Sequence, residues 1–285
     1  KEGGVQIVQC YEGGPGEAAG LKEGDVVSAV DGQDITESSV SEVASMIRDS
    51  DAKNVILTVH RENTDEPLTI TVPITDVELP SVFHEMLDPK IGYIRITEFK
   101  GVTVEQYTTA FQDLKDQGME KMIVDLRDNP GGLLDSVCDI LRQILPEGLI
   151  VYTEDKNGNR EEENCDGKNA LDIPLAVLVN ENSASASEIF AGAVKDYGIG
   201  AIVGTTTYGK GIVQSIRTLS DGSAVKLTVS KYYTPKGNNI HKTGITPDVE
   251  EKLDSNLLNK SDYSHEEDNQ LQRAIQVLEN DGESS

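Results

Sequence analysis

The sequence predicts an α/β domain with helices packed on a largely buried sheet, preceded by a small domain of short strands and one helix. Three observations carry this. A succession of apolar strand, polar or glycine turn and helix occurs twice, at Met122 to Leu145 and at Leu175 to Val194, the alternation that layers helices on a sheet. Nearer the front, Val40, Val43, Ala44 and Ile47 fall at i, i+3, i+4 and i+7 between short strand-like runs, which puts all four on one helical face. Finally, 285 residues is about twice a common domain of ~150 residues and is enough for two cores.

The elements follow in order. Val5 to Val8 alternates as a strand, Gly13-Gly14-Pro15-Gly16 breaks the chain, and Glu17-Ala18-Ala19 forms a helical turn closed by Gly20. Val26 to Val30 is extended, and Asp31-Gly32 returns it as a hairpin. Ser38-Ser39 precedes the amphipathic helix, Val55 to His60 and Leu68 to Val72 complete the front domain, and its boundary falls near Pro73 to Pro80. Beyond it, Gly92 to Ile96 is a strand, and Val104 to Gln117 is a helix stopped by Gly118. Met122 to Leu126 is an apolar strand interrupted by Asp125 alone; the turn Asn129-Pro130-Gly131-Gly132 and a helix from Leu133 to Leu145 follow. Lys156 to Lys168, with Glu161-Glu162-Glu163, reads as a polar loop. Leu175 to Val179 is a buried-type strand that leads through Ser183-Ala184-Ser185-Ala186-Ser187-Glu188 into a helix ending near Val194. Residues 251–285 read as an acidic tail with one helical stretch near Leu271 to Leu278.

Charge narrows the function. Fifty acidic side chains against 25 basic ones give a net charge of -25, which repels a phosphate backbone and excludes nucleic acid as a partner. No apolar run approaches the ~20 residues that span a bilayer. Cys10, Cys138 and Cys165 have no C-x-x-C spacing, so neither a zinc site nor a disulfide framework is expected. The chain starts at Lys1 without a signal-peptide pattern, so a segment upstream of it is expected.

Two stretches invite chemistry. Gly204-Thr205-Thr206-Thr207-Tyr208-Gly209-Lys210-Gly211 nearly fits a phosphate-binding P-loop, but Gly211 lacks the hydroxyl that would hold Mg²⁺, and the β-branched Ile212-Val213-Gln214-Ser215-Ile216 is strand-like where the motif needs a helix. Ser185 opens Ser-Ala-Ser-Glu, a capping box with Glu188. The same helix start after a buried strand also suits a nucleophile, because free N–H groups such as that of Ala186 can bind an oxyanion. Such a serine needs a base. His60, His84, His241 and His265 lie in no triad context. Lys210, between two glycines, is either an exposed turn lysine or an amine desolvated enough to act as a base.

Five motifs in order then resemble one family: Gly92-Tyr93-Ile94-Arg95-Ile96, Asp125-Leu126-Arg127-Asp128-Asn129-Pro130-Gly131-Gly132, Ser183 to Ile189, Tyr208 to Gln214, and Tyr232-Tyr233-Thr234-Pro235-Lys236-Gly237. Across nearly the whole chain the sequence resembles the carboxyl-terminal processing, or tail-specific, peptidases, which are Ser-Lys serine proteases carrying a PDZ domain. The resemblance implies an α/β protease core of the ClpP/crotonase-like sheet-and-helix kind over residues 76–250 and a small α+β PDZ domain over residues 1–75. It implies Ser185 as nucleophile and Lys210 as base, with Gln214 orienting the amine from the same strand face. Gly131 and Ala186 N–H groups are the implied oxyanion donors, and Asp196 the implied support of the fold. Gly14 to Asp25, Val30-Asp31-Gly32 and the Val40 to Ile47 helix look like a bacterial PDZ domain, whose peptide pocket would use Val40 and Ala44, with Val43 and Ile47 in the core. The Gly-rich carboxylate-binding loop of such domains precedes the strand matched by Val5 to Val8, so the front part of the PDZ domain is expected to be missing. Implied with this are protein or peptide substrates with apolar carboxyl termini, no metal or cofactor, assembly into dimers or larger rings, and an extracytoplasmic location with tethering or export through the upstream segment. Two rivals stand beside this reading: a PDZ scaffold with an inactive protease fold, and a P-loop nucleotide binder.

Overall fold

The computed structural model describes residues 3–11, 13–50, 52–75, 79–87, 90–258, 260 and 263–281. The chain divides into two compact units, Lys1–Leu79 and Pro80–Ser285. Part of the boundary stretch expected between Pro73 and Pro80, residues 76–78, lies outside the described residues, as do residues 1 and 2 of the front domain and 282–285 of the tail.

In the first unit β1 (Val5–Gln6), α1 (Pro15–Ala18), β2 (Val26–Val30), β3 (Gln33–Asp34), α2 (Val40–Arg48), β4 (Asn54–His60) and β5 (Leu68–Pro73) follow one another. The strands form an antiparallel sheet in the order β1-β2-β4-β5, with β3 paired to β2. Asp31 and Gly32 carry φ 49° and 80°, the two left-handed residues whose twist suits a tight hairpin. Helix α2 starts from a capping box in which Ser39 N–H donates to Glu42 Oε2 at 2.8 Å and Glu42 N–H to Ser39 Oγ at 3.3 Å. Val43 is buried with Val27, Val30, Ile35, Leu57 and Val59, and Ile47 packs against them. Ala44 is half-buried, and Val40 is 68% exposed. Asp25 sits buried where Arg61 reaches it with Nε at 2.8 Å and Nη2 at 2.9 Å.

The second unit runs β6 (Val82–Leu87), β7 (Ile91–Ile96), α3 (Thr103–Asp116), β8 (Lys121–Asp125), α4 (Leu134–Leu141), β9 (Gly148–Asp155), β10 (Arg160–Cys165), β11 (Leu175–Val179), α5 (Ala186–Tyr197), β12 (Ala201–Gly204), β13 (Ile212–Thr218), β14 (Ala224–Tyr233), β15 (Val249–Glu250) and α6 (Asn269–Asp281). Six strands form a sheet in the order β15-β12-β11-β8-β7-β6, parallel except for the antiparallel edge strand β6. Alternate residues face opposite sides. Ile94, Val124 and Val177 join the core under α3, α4 and α5, while Tyr93, Ile123 and Leu178 meet Leu271, Ala274 and Leu278 of α6. A sheet covered on both faces explains why its strands read as continuous apolar runs.

Four features depart from expectation. The acidic stretch expected as a loop is strand β10, which pairs Glu161, Glu162 and Glu163 with Thr153, Tyr152 and Val151 in a second, antiparallel sheet ordered β10-β9-β14-β13. It lies at an edge, so its side chains stay hydrated, and Arg142 Nη2 donates to Glu163 Oε2 at 2.6 Å. Strand β6 was not anticipated. Helix α4 stops at Leu141, four residues early, and Ile144 and Leu145 are buried in the turns beyond it. The stretch expected as a tail is integral: α6 covers the sheet with three fully buried side chains. Among the described residues no helix is long and apolar enough to cross a membrane.

Candidate active site

Ligands of parallel sheets gather beyond the carboxyl ends of the strands. Here β12, β11 and β8 are neighbours, and the three loops that leave their carboxyl ends carry Lys210, Ser185 and Gly131 respectively. The fold therefore assembles three motifs that lie far apart in sequence.

The three serines of the β11–α5 loop have different fates. Ser183 Oγ donates to the Leu126 carbonyl at 2.8 Å and Ser187 Oγ to the Asn129 carbonyl at 3.0 Å, so both hydroxyls stitch this loop to the one after β8. The Ser185 hydroxyl instead shares a hydrogen bond with the Tyr232 phenol. Ser185 is 8% exposed and has φ 55°, a left-handed backbone that a non-glycine residue adopts only at a cost of about 1–3 kcal/mol. Its side chain lies beside Tyr232, whose phenol is pushed up from its ordinary range by burial. Tyr232 belongs to the Tyr232 to Gly237 motif, but nothing in its local sequence shows that β14 delivers it to Ser185.

Glu188 organises the site. It is fully buried, and its two oxygens accept four hydrogen bonds. Oε1 takes Thr207 Oγ1 at 2.6 Å and Gly209 N–H at 2.7 Å; Oε2 takes Ser185 N–H at 2.9 Å and Lys210 N–H at 2.8 Å. One oxygen thus holds the main chains of Ser185 and Lys210 side by side. The capping box foresaw the Ser185 bond, and the other three join a segment nineteen or more residues away. The Lys210 side chain is half-buried. Among the described residues no hydrogen bond joins its amine to the Ser185 hydroxyl.

The Gly131 N–H and the Gln214 side chain are not arranged here as their expected roles require. Gly131 packs directly on the serine: a Cβ there would lie 2.7 Å from the Ala184 carbonyl oxygen, 2.8 Å from Ser185 Cβ and 2.9 Å from Ala186 N. Its N–H, however, donates to Asn129 Oδ1 at 2.8 Å, so in this arrangement it is not free for an oxyanion. Gln214 is exposed on β13 and makes no hydrogen bond to Lys210 among the described residues. Lys210 precedes β13, and the ladder shifts register between Val213 and Gln214, so strict alternation does not run from one side chain to the other. Asp196 accepts Lys236 N–H at 2.8 Å and so secures the turn after β14. The Gly204 to Gly211 loop runs into β13 and not into a helix, which removes the amino-terminal helix dipole that a P-loop needs.

Residues 90–251 match peptidase family S41. The chain belongs to that family. Residues 6–61 of this S41 chain match a PDZ domain. It is 38% identical over 278 residues to the carboxyl-terminal-processing protease of Synechocystis sp., covering 96% of this chain and 65% of that protein. It is 35% identical over 254 residues to the carboxy-terminal processing protease CtpA of Bacillus subtilis, covering 89% of this chain and 54% of the other. The S41 chain therefore spans about half to two thirds of the length of these curated relatives. Among solved structures, the photosystem II D1 C-terminal processing protease aligns with TM-score 0.57 and 33% identity over 87% of this chain and 68% of that one. The tricorn protease shares the fold alone, at 18% identity and TM-score 0.56 over 93% of this chain and 26% of that one.

Proposed function

We propose that this chain is the PDZ-bearing catalytic part of a serine endopeptidase that cuts proteins upstream of apolar carboxyl-terminal tails. The observation that carries the reading is the shared Glu188 Oε2, which seats Ser185 and Lys210 on one oxygen. The Lys210 amine, unprotonated, takes the Ser185 hydroxyl proton as Oγ attacks the scissile carbonyl. The oxyanion is received by Ala186 N–H and by Gly131 N–H once it turns from Asn129 Oδ1. Collapse of the intermediate breaks the C–N bond, the leaving amine takes the proton back from Lys210, and water then hydrolyses the acyl-enzyme with Lys210 again as base. Gln214 is the group assigned to orient that amine.

The 68% exposed Val40 and the half-buried Ala44 are the PDZ residues that would receive the last apolar side chain of the tail. Val40→Asp then weakens tail binding and leaves hydrolysis of a short tail-less peptide unchanged. The same reading gives a protein that works outside the cytoplasm, tethered through an upstream segment, and that self-associates. Cell fractionation and sedimentation check these two points.

The deciding experiment follows cleavage of an unstructured protein ending in apolar residues by the parent, Ser185→Ala and Lys210→Ala chains. Cleavage by the parent with at least a ~10³-fold loss in both variants is expected. An inert parent that still binds the tail favours the scaffold reading, and variants that cut as fast as the parent end the Ser-Lys assignment.

A further inference from the structure

The segment that matches the family ends at residue 251, yet the chain returns to the active-site loop beyond it. Asp268, just ahead of α6, is 3% exposed. Its oxygens accept Arg127 Nη1 at 3.0 Å and Nη2 at 2.8 Å, the bidentate fork that makes arginine–carboxylate pairs strong and directional. Arg127 also reaches Asp125 through Nε at 3.0 and 3.1 Å and through Nη2 at 2.6 Å. Its Nη1 meets Gln270 Oε1 at 3.1 Å, and Tyr93 donates its hydroxyl to Asp125 at 2.7 Å. Burial alone would push the Asp125 carboxyl up, but the charge and hydrogen bonds of Arg127 outweigh it and hold it below its ordinary range.

The place of Arg127 gives this cluster its meaning. It sits two residues before Asn129 and four before Gly131, in a loop with φ of 61° at Asp128, 104° at Gly131 and 142° at Gly132. The glycines take such angles freely, but Asp128 keeps its own only where its surroundings over-determine it. One set of anchors comes through Asn129, whose Nδ2 donates to the Ile96 carbonyl at 2.8 Å and whose carbonyl accepts Ala184 N–H at 3.0 Å. Asp128 adds bonds to Asn180 and Asn182, and the Gly131 carbonyl accepts Phe99 N–H at 2.8 Å. On the side of the loop that faces α6, the anchor is Arg127.

We propose that Asp268 is a positioning residue for the peptidase reaction: by clamping Arg127 it fixes the loop that sets Gly131 against Ser185. The inference rests on the Ser185 reading of the site and acts entirely through Arg127. Asp268 has a second task, because its Oδ1 also accepts Gln270 and Leu271 N–H at 3.1 Å each and so caps α6. The two tasks rank substitutions differently. As a cap, Asn and Ser serve about as well as Asp, and Glu does not. As a clamp, Glu keeps a two-oxygen anion, and Asn and Ser lose it.

Steady-state hydrolysis and melting temperature of the full chain are compared among the parent, Asp268→Glu, Asp268→Asn and Asp268→Ser. The clamp predicts that kcat falls about 10- to 100-fold in the Asn and Ser variants with KM within about twofold, since only transition-state placement is lost. Asp268→Glu recovers a large part of that loss. Variants that all turn over at the parent rate, or activities that follow melting temperature with Asn and Ser above Glu, overturn the proposal. If Asp268→Asn is insoluble, Glu against Ser makes the same decision. A Ser185→Ala control separates the two readings: if it still hydrolyses, both fall, whereas an inert control beside a fully active Asn variant removes Asp268 alone.

Discussion

A single backbone hydrogen cannot be replaced at Gly131. The glycine combines φ 104° with contacts under 3 Å for any added Cβ, and those contacts are main-chain and Ser185 atoms with nowhere to move. Gly131→Ala is therefore expected to lose about 10²-fold in kcat, the scale of a lost oxyanion donor, and about 1–3 kcal/mol of stability from forced left-handed backbone. Turnover together with a denaturant midpoint checks both, and an active, fully stable variant would contradict this geometry. At this scale the sequence was a partial guide. Ser185, Ala186 and Gly131 do meet, and the motif order had pointed to them. What no local pattern showed is why Ser183 and Ser187 give their hydroxyls to main-chain carbonyls 57 and 58 residues away while Ser185 turns its own toward Tyr232. Glu188 was legible as a cap three residues from Ser185, but its bonds to Thr207, Gly209 and Lys210 depend on the fold.

Among the elements, legibility followed short apolar runs closed by turn residues. Strands β2 and β11 were readable to the residue because both are short apolar runs closed by turns, whereas β10 hides behind three glutamates that an edge strand tolerates. Helix α2 was readable from its apolar period, and Val43 and Val40 lie at opposite extremes of exposure on it. The strands of the first unit are tied to its front loops by Asp25, where the hydrogen bonds of Arg61, opposed by burial, leave the carboxyl below its ordinary range. A carboxyl lowered in the folded state adds stability above its unfolded value of about 3.9 and loses it as pH falls through the lower folded value. Hydrogen-exchange protection of β2 and β4, corrected for intrinsic rates, should accordingly decline below about pH 4. Arg61→Ala should lower protection at neutral pH and flatten that acid limb. An acid limb of the same steepness in the variant would remove Asp25 as its source.

Taken whole, the molecule is two units with separate cores, and the -25 charge belongs to both. The alternation of strands and helices and the chain length pointed to two domains; of the second sheet of the larger unit, the start of β13 is strand-like in sequence, β10 and β14 are polar or solvent-facing over much of their length, and β9 went unread although its centre is buried. An acidic surface of this size attracts cations over about a Debye length, ~10 Å at 0.1 M salt. Raising the ionic strength should reduce kcat/KM for a tail flanked by lysines and increase it for one flanked by aspartates. Rates that stay level for both tails would show that the charge does not reach the bound substrate.

The position of α6 has a consequence in time. Arg127 and Asp268 stand 141 residues apart, and closing so long a loop is slow compared with forming local contacts. During synthesis, β7, β8 and β11 emerge well before the helix that covers their second face, so Ile123, Ala176 and Leu178 stay wet until residue 278 is available. If Asp268 does secure the loop that carries Gly131, that loop cannot take its final form until α6 has been synthesised, more than 130 residues after the loop itself.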